Sequence, residues 1–205
     1  MTTAKDLSKG RLFLALLALF LSSMCTLGDL VISPITANLY EVFAGEPEWL
    51  INFGVTGPAL VGLPFGILAG VLCDRMDKKW VMVIGFAIFT ASAVFGAVEN
   101  IYLFVVLRCC ATGIGWGVTN TAALSILAEL FTNEDEHGKY VGWYNSVMSI
   151  MGALMSAIAG ILAVTAWQNA FYTYLIAVPV LVMLIVFLPS FKDSKSGQDK
   201  PAAEE

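Results

Sequence analysis

Residues 49–79 read WLINFGVTGPALVGLPFGILAGVLCDRMDKK, an uncharged run from Trp49 to Cys73 that ends in a turn crowded with Asp74, Arg75, Asp77, Lys78 and Lys79. A hydrocarbon layer about 30 Å thick takes roughly 20 apolar residues of helix. Residues 49–73 are therefore long enough to cross a bilayer, and 74–79 belong in water. Five further runs of the same kind lie on either side, at 12–39, 80–98, 101–130, 141–166 and 170–191. Runs such as LFLALLALFL and YLIAVPVLVMLIVFL do not alternate apolar with polar residues. That excludes the short alternating strands of a membrane β-barrel. The expected fold class is an all-α membrane protein with six transmembrane helices. The composition agrees, with 58% hydrophobic and 13% charged residues and a mean hydropathy of +0.79.

Three parts follow: an N-terminal segment 1–11, a six-helix transmembrane domain 12–191, and a tail 192–205. The tail, KDSKSGQDKPAAEE, is polar and aperiodic, and reads as a disordered end or the start of a linker. The first apolar run continues past Ser22 and Ser23 with no small-x-small cleavage site, so a retained span is expected rather than a signal peptide. Six spans place alternate loops on opposite sides. Lys5, Lys9, Arg11, Arg75, Lys78, Lys79, Lys139, Lys192, Lys195 and Lys200 then all fall on one side. The opposite loops, around 41–48, 99–100 and 167–169, hold no basic residue. Basic loops stay in the cytoplasm, so both termini are expected there, in a multi-pass protein of a plasma (bacterial inner) membrane. Its first partner is the lipid bilayer. No nucleic acid, cofactor or metal is expected.

The eleventh basic residue, Arg108, lies inside the fourth span. In the first span, Ser22, Thr26, Asp29, Ser33 and Thr36 recur at helical spacing and predict one polar face. A carboxylate near the centre of a span costs roughly 2.5–3.5 kcal/mol to insert, so Asp29 should face protein or water. Arg108, Thr112, Gly115 and Thr119, with Asn120 close by, make a second such face in the fourth span. Asn145, Ser149, Gly152 and Ser156 make a third in the fifth. The hydroxyls and amides alone serve equally as interhelical glue, at about 0.6 kcal/mol per contact. Asp29 and Arg108 cost more than glue requires and mark a cavity. Depths of about 16 and 10 Å from the outer end, at about 1.5 Å per residue, place the two within an arginine's reach of each other. Cys25, Cys73, Cys109 and Cys110 have neither metal-site nor disulfide spacing and read as small packing residues. Pro34 is expected to kink the outer end of the first span.

The chain resembles the major facilitator superfamily. Its best-known signature joins the second and third spans, and Gly70, Asp74, Arg75, Lys78 and Lys79 match it, with Asp77 where glycine is usual. Arg108 before Gly113, Gly115 and Gly117 is similar to the family's fourth-span motif, which is implicated in proton coupling. Asp29-Leu30-Val31-Ile32-Ser33-Pro34 resembles the first-span segment of drug and organic-solute exporters. Glu129 fits the inner end of the fourth span. His137-Gly138-Lys139 replaces the usual Arg-Gly, and the antiporter fifth-span Gly-Pro is missing. The resemblance implies two inverted three-helix repeats, echoed by Gly66-Ile67-Leu68-Ala69 and Gly160-Ile161-Leu162-Ala163, which together form one half of a major-facilitator fold. It also implies that Gly70, Asp74, Arg75, Lys78, Lys79 and Glu129 act as a conformational latch. Asp29, Arg108, Ser33, Thr112, Asn120, Asn145 and Ser149 are implied as the proton-coupling and substrate-cavity residues.

The leading expectation is secondary active transport of a small organic solute, coupled to protons, by alternating access with a second six-span unit. That unit would be a homodimer partner, a separate chain or a C-terminal half. The alternative is a receptor or assembly protein that keeps the scaffold without transporting. An enzyme is not expected: Gly-x-Ser-x-Gly and His-Glu-x-x-His are absent, one mid-membrane acid cannot form an aspartyl dyad, and the single histidine is expected in a loop.

Overall fold

The computed structural model describes residues 8–95, 98 and 100–191. The tail 192–205, Lys5 and Glu99 lie outside the described residues. Among those described there is no strand, and the chain is a bundle of helices. Helix α1 (Lys9–Ser22) leads through 3₁₀ turns at Ser23–Cys25, Gly28–Val31 and Ser33–Ile35 into α2 (Thr36–Val42). Then come α3 (Glu48–Arg75), α4 (Lys78–Phe95), α5 (Ile101–Arg108), a π-turn at Cys109–Ile114, α6 (Gly115–Leu130) and α7 (Glu134–Ala163). A 3₁₀ stretch Trp167–Ile176 and α8 (Ala177–Phe187) close the order.

Four continuous helical segments are long and apolar enough to cross a membrane: Glu48–Arg75, Ile101–Leu130, Glu134–Ala163 and Trp167–Phe187. Lys9–Cys25 with Gly28–Val42 makes a fifth if that bent pair is one span. The expected third span corresponds to α4, which is 18 residues long. It packs among α6, the π-turn, the Trp167–Ile176 stretch and α8. Phe86 and Phe89 of α4 are fully buried, so this short helix forms the middle of the bundle.

The first span departs from the expected straight polar face, because its two halves meet at 54°. Ser22 and Ser23 turn their hydroxyls back onto the carbonyls of Leu19 and Phe20, at 2.6 and 2.5 Å, a competition that bends helices. Beyond them the backbone tightens to three-residue hydrogen bonds, Thr26 N to Ser23 O and Leu30 N to Leu27 O. The break thus falls at residues 26–27, ahead of Pro34, which lies within the later 3₁₀ turn Ser33–Ile35.

Two boundaries also differ from expectation. Asn133 caps α7 by accepting from Asp135 N at 3.0 Å, and Glu134, Asp135 and Glu136 fill the first turn, where negative charge suits the helix dipole. His137 and Lys139 are therefore helical rather than in a loop. At the other end, 167–169 is helical too, because Trp167 is buried among Phe43, Phe104 and Phe171.

Candidate functional site

Arg108 is the last residue of α5, directly before the π-turn, an irregularity often found at functional sites. It is 2% exposed, and its donors are spent inside the bundle. Nη2 donates to Asp29 Oδ1 at 2.7 Å, Nε to the Gly54 carbonyl at 2.7 Å, and Nη1 to the Tyr174 hydroxyl at 3.4 Å. That hydroxyl donates in turn to the Gly28 carbonyl at 3.0 Å. A buried charge persists only when paired and hydrogen-bonded, and three other segments of the bundle supply these partners: the Gly28–Val31 turn, α3 and the Trp167–Ile176 stretch. The two members differ in access: the side chain of Arg108 is 1% exposed and that of Asp29 36%. The open face of the pair is a carboxylate.

The other expected cavity residues divide. Asn120 Oδ1 accepts from Thr26 Oγ1 at 3.3 Å and from Tyr144 OH at 3.4 Å, joining the fourth and fifth spans to the break in the first. Thr112 is buried and shares a hydrogen bond with Ser92 at 3.3 Å. Asn145 and Ser149 lie on an exposed face of α7, where Ser149 Oγ donates to the Asn145 carbonyl at 3.1 Å. Ser33 is exposed, and Thr36 bonds back to the Ile32 carbonyl at 3.0 Å. The expected first-span stripe is therefore split by the bend, and only Thr26 and Asp29 reach other spans.

At the charged turn, Lys78 Nζ meets Glu129 Oε2 at 2.5 Å. Glu129 is 8% exposed, and this contact ties the start of α4 to the end of α6. Asp77 Oδ1 accepts from Lys79 N and from Phe191 N, both at 3.0 Å, while Oδ2 accepts from Ser190 Oγ. It caps α4 and fastens the end of the last helix. Asp74 and Arg75 are exposed at the end of α3, and a side chain at Gly70 would meet only Thr121 Cγ2, at 4.0 Å. Close approach between α3 and α6 falls instead to Gly62 and Gly117. A Cβ on Gly117 would lie 2.2 Å from the Gly62 carbonyl oxygen.

Three participants were not anticipated. Asp77 had a readable signal, an acid immediately before a helix. Tyr174 and the Gly54 carbonyl had none, because one is an aromatic in an apolar run and the other is backbone. Of the cysteines, Cys25, Cys73 and Cys109 are buried, whereas Cys110 is exposed.

The fold and site define a multi-pass helical membrane protein with a charged interior. The sequence profile described as Major Facilitator Superfamily matches residues 12–205, and the chain belongs to that family, whose members are transporters rather than enzymes. The multidrug resistance protein MdtL of Vibrio parahaemolyticus is 25% identical over 194 residues, covering 88% of this chain and 48% of its own. The methylenomycin A resistance protein of Bacillus subtilis is 30% identical over 132 residues, covering 63% of this chain and 28% of its own. The solved structure of the proton:xylose symporter XylE superposes with a TM-score of 0.73 at 20% identity, covering 87% of this chain and 45% of that one. The chain spans less than half the length of each of these relatives.

Proposed function

We propose that this chain forms one six-span half of a secondary transporter that moves a small organic solute by alternating access, coupled to protons. The observation that carries the reading is the Asp29–Arg108 pair, held at 2.7 Å between the broken first span and the π-turn of the fourth. Maintaining two charges inside a membrane is costly, and a charge whose partner is reachable by protons has a use for that cost. A proton or a cationic solute competes with Arg108 for the open face of the carboxylate. The second six-span unit supplies the facing wall of the cavity, and the share of each relative that the chain spans supports such a unit. Gly70, Asp74, Arg75, Lys78, Lys79 and Glu129 act as the latch between units on the cytoplasmic side, where both termini lie. The named roles of the relatives, multidrug resistance and proton:xylose symport, support an organic solute as cargo.

The test is solute movement in proteoliposomes under an imposed pH gradient, with the protein and its second unit reconstituted. Asp29→Asn is expected to abolish gradient-driven transport while retaining passive exchange. Gradient-driven transport at the unsubstituted rate overturns the proton role.

A further inference from the structure

The hydroxyl of Tyr174 touches both the charged pair and the break in the first span. Its ring is already fixed without it. Tyr174 is fully buried, edge-on to Phe89 at 5.2 Å and stacked with Phe171 at 6.3 Å. Phe89 presses in turn on Gly28, where a Cβ would come within 2.5 Å of the ring. Phenylalanine would satisfy this packing. A tyrosine hydroxyl in an apolar interior adds a desolvation cost unless it is hydrogen-bonded. Its proton goes to the Gly28 carbonyl, and its oxygen receives Arg108 Nη1. Gly28 is the residue before Asp29 and begins the 3₁₀ turn after the break. The guanidinium is thus linked to the first span twice, through the Asp29 carboxylate and through the Gly28 backbone.

We infer that Tyr174 is a positioning residue that couples the charge state of the Asp29–Arg108 pair to the bend of the first span. The inference rests on the proton role proposed above. When Asp29 takes up a proton, Arg108 loses its counter-charge and keeps the Gly54 carbonyl and the Tyr174 hydroxyl. Any displacement of the guanidinium then pulls on the Gly28 carbonyl, at the point where the two halves of the span meet. The titratable groups packed around this point are Asp29, Arg108, Tyr174, the Cys109 thiol, which donates to the Phe53 carbonyl, the buried Cys25 thiol beside the break, and the Tyr144 hydroxyl of α7, which donates to Asn120 next to Thr26. The other neighbours at this point do not titrate: Gly54 from α3, Phe89 from α4 and Gly152 from α7.

Two signals test this in the reconstituted protein, in a background free of native cysteines. The carbonyl stretch of protonated Asp29, identified by its loss in Asp29→Asn, is followed by infrared spectroscopy against pH. The distance between spin labels at Phe13→Cys and Val42→Cys, exposed on either side of the bend, is followed over the same range. In the unsubstituted protein both should change together. Tyr174→Phe keeps the ring, so it should insert normally and Asp29 should still titrate. The label distance should lose at least half of its pH-dependent change. A distance that still follows pH as before overturns the positioning role and leaves the proton role standing. So does failure of Tyr174→Phe to insert, since that would make the hydroxyl structural. An Asp29 carboxyl that never titrates in the unsubstituted protein overturns the proton role itself, and with it this inference.

Discussion

Asp77 occupies a turn position where the family usually has glycine, and it has become a hydrogen-bonding hub. One carboxylate collects two backbone N–H groups and the Ser190 hydroxyl. Each such bond contributes about 0.5–1.5 kcal/mol, and more when an acceptor is charged. Asp77→Ala is expected to cost roughly 2–4 kcal/mol, with Asp77→Asn losing less because it keeps one acceptor oxygen. Cys25, Cys73 and Cys109 are buried, so the loss should appear as earlier reaction of a thiol-reactive dye during thermal unfolding. An unchanged unfolding curve for Asp77→Ala would show that the clasp contributes nothing. Residues of this kind are half legible. An acid before a helix announces a cap, but nothing in its neighbours announces Phe191, far along the chain. Asp29 and Arg108 were legible as a pair because charges within apolar runs are rare and have few possible partners. Tyr174 was not, since a tyrosine in an apolar run does not show in sequence which partner its hydroxyl finds.

Among the elements, the contact between α3 and the fourth span depends on glycines that let backbones meet. Gly62→Ala is not the sharpest probe, because its nearest obstacle is the Trp116 ring, which can turn. At Gly117 the obstacle is a backbone oxygen 2.2 Å from the added carbon, and neither helix can yield without shifting. Gly117→Ala should therefore reduce thermal stability by about 1–3 kcal/mol, the range for overpacking. Gly70→Ala, with its nearest neighbour 4.0 Å away, should leave stability unchanged. If the latch reading holds, Gly70→Ala should still slow transport. Comparing unfolding midpoints of the two variants decides the first point, since equal losses would mean the ridge is packed evenly. Gly62, Gly66 and Gly70 stand four residues apart in the sequence; which of them carries the contact depends on how the two helices cross.

For the molecule as a whole, the segregation of basic residues predicts its orientation. Glu46 and Lys139 are both exposed and belong to opposite sides in that scheme. In a cysteine-free background, Glu46→Cys should react with a membrane-impermeant maleimide added outside intact cells, and Lys139→Cys only after the membrane is opened. External labelling of Lys139→Cys would invert or break the proposed topology. By itself the sequence determined the helical membrane class, most of the spans, the segregation of basic loops and the two charges within the bilayer. These follow from local composition, because hydrocarbon penalises every uncovered polar group whatever the fold around it. Only the tertiary structure decided that the first span breaks at residues 26–27, that Arg108 shares its donors among Asp29, Gly54 and Tyr174, and that Asn145 and Ser149 are exposed on α7. Those outcomes depend on distances between segments far apart in the chain, which are set when the bundle packs and leave no local trace in the residues that meet.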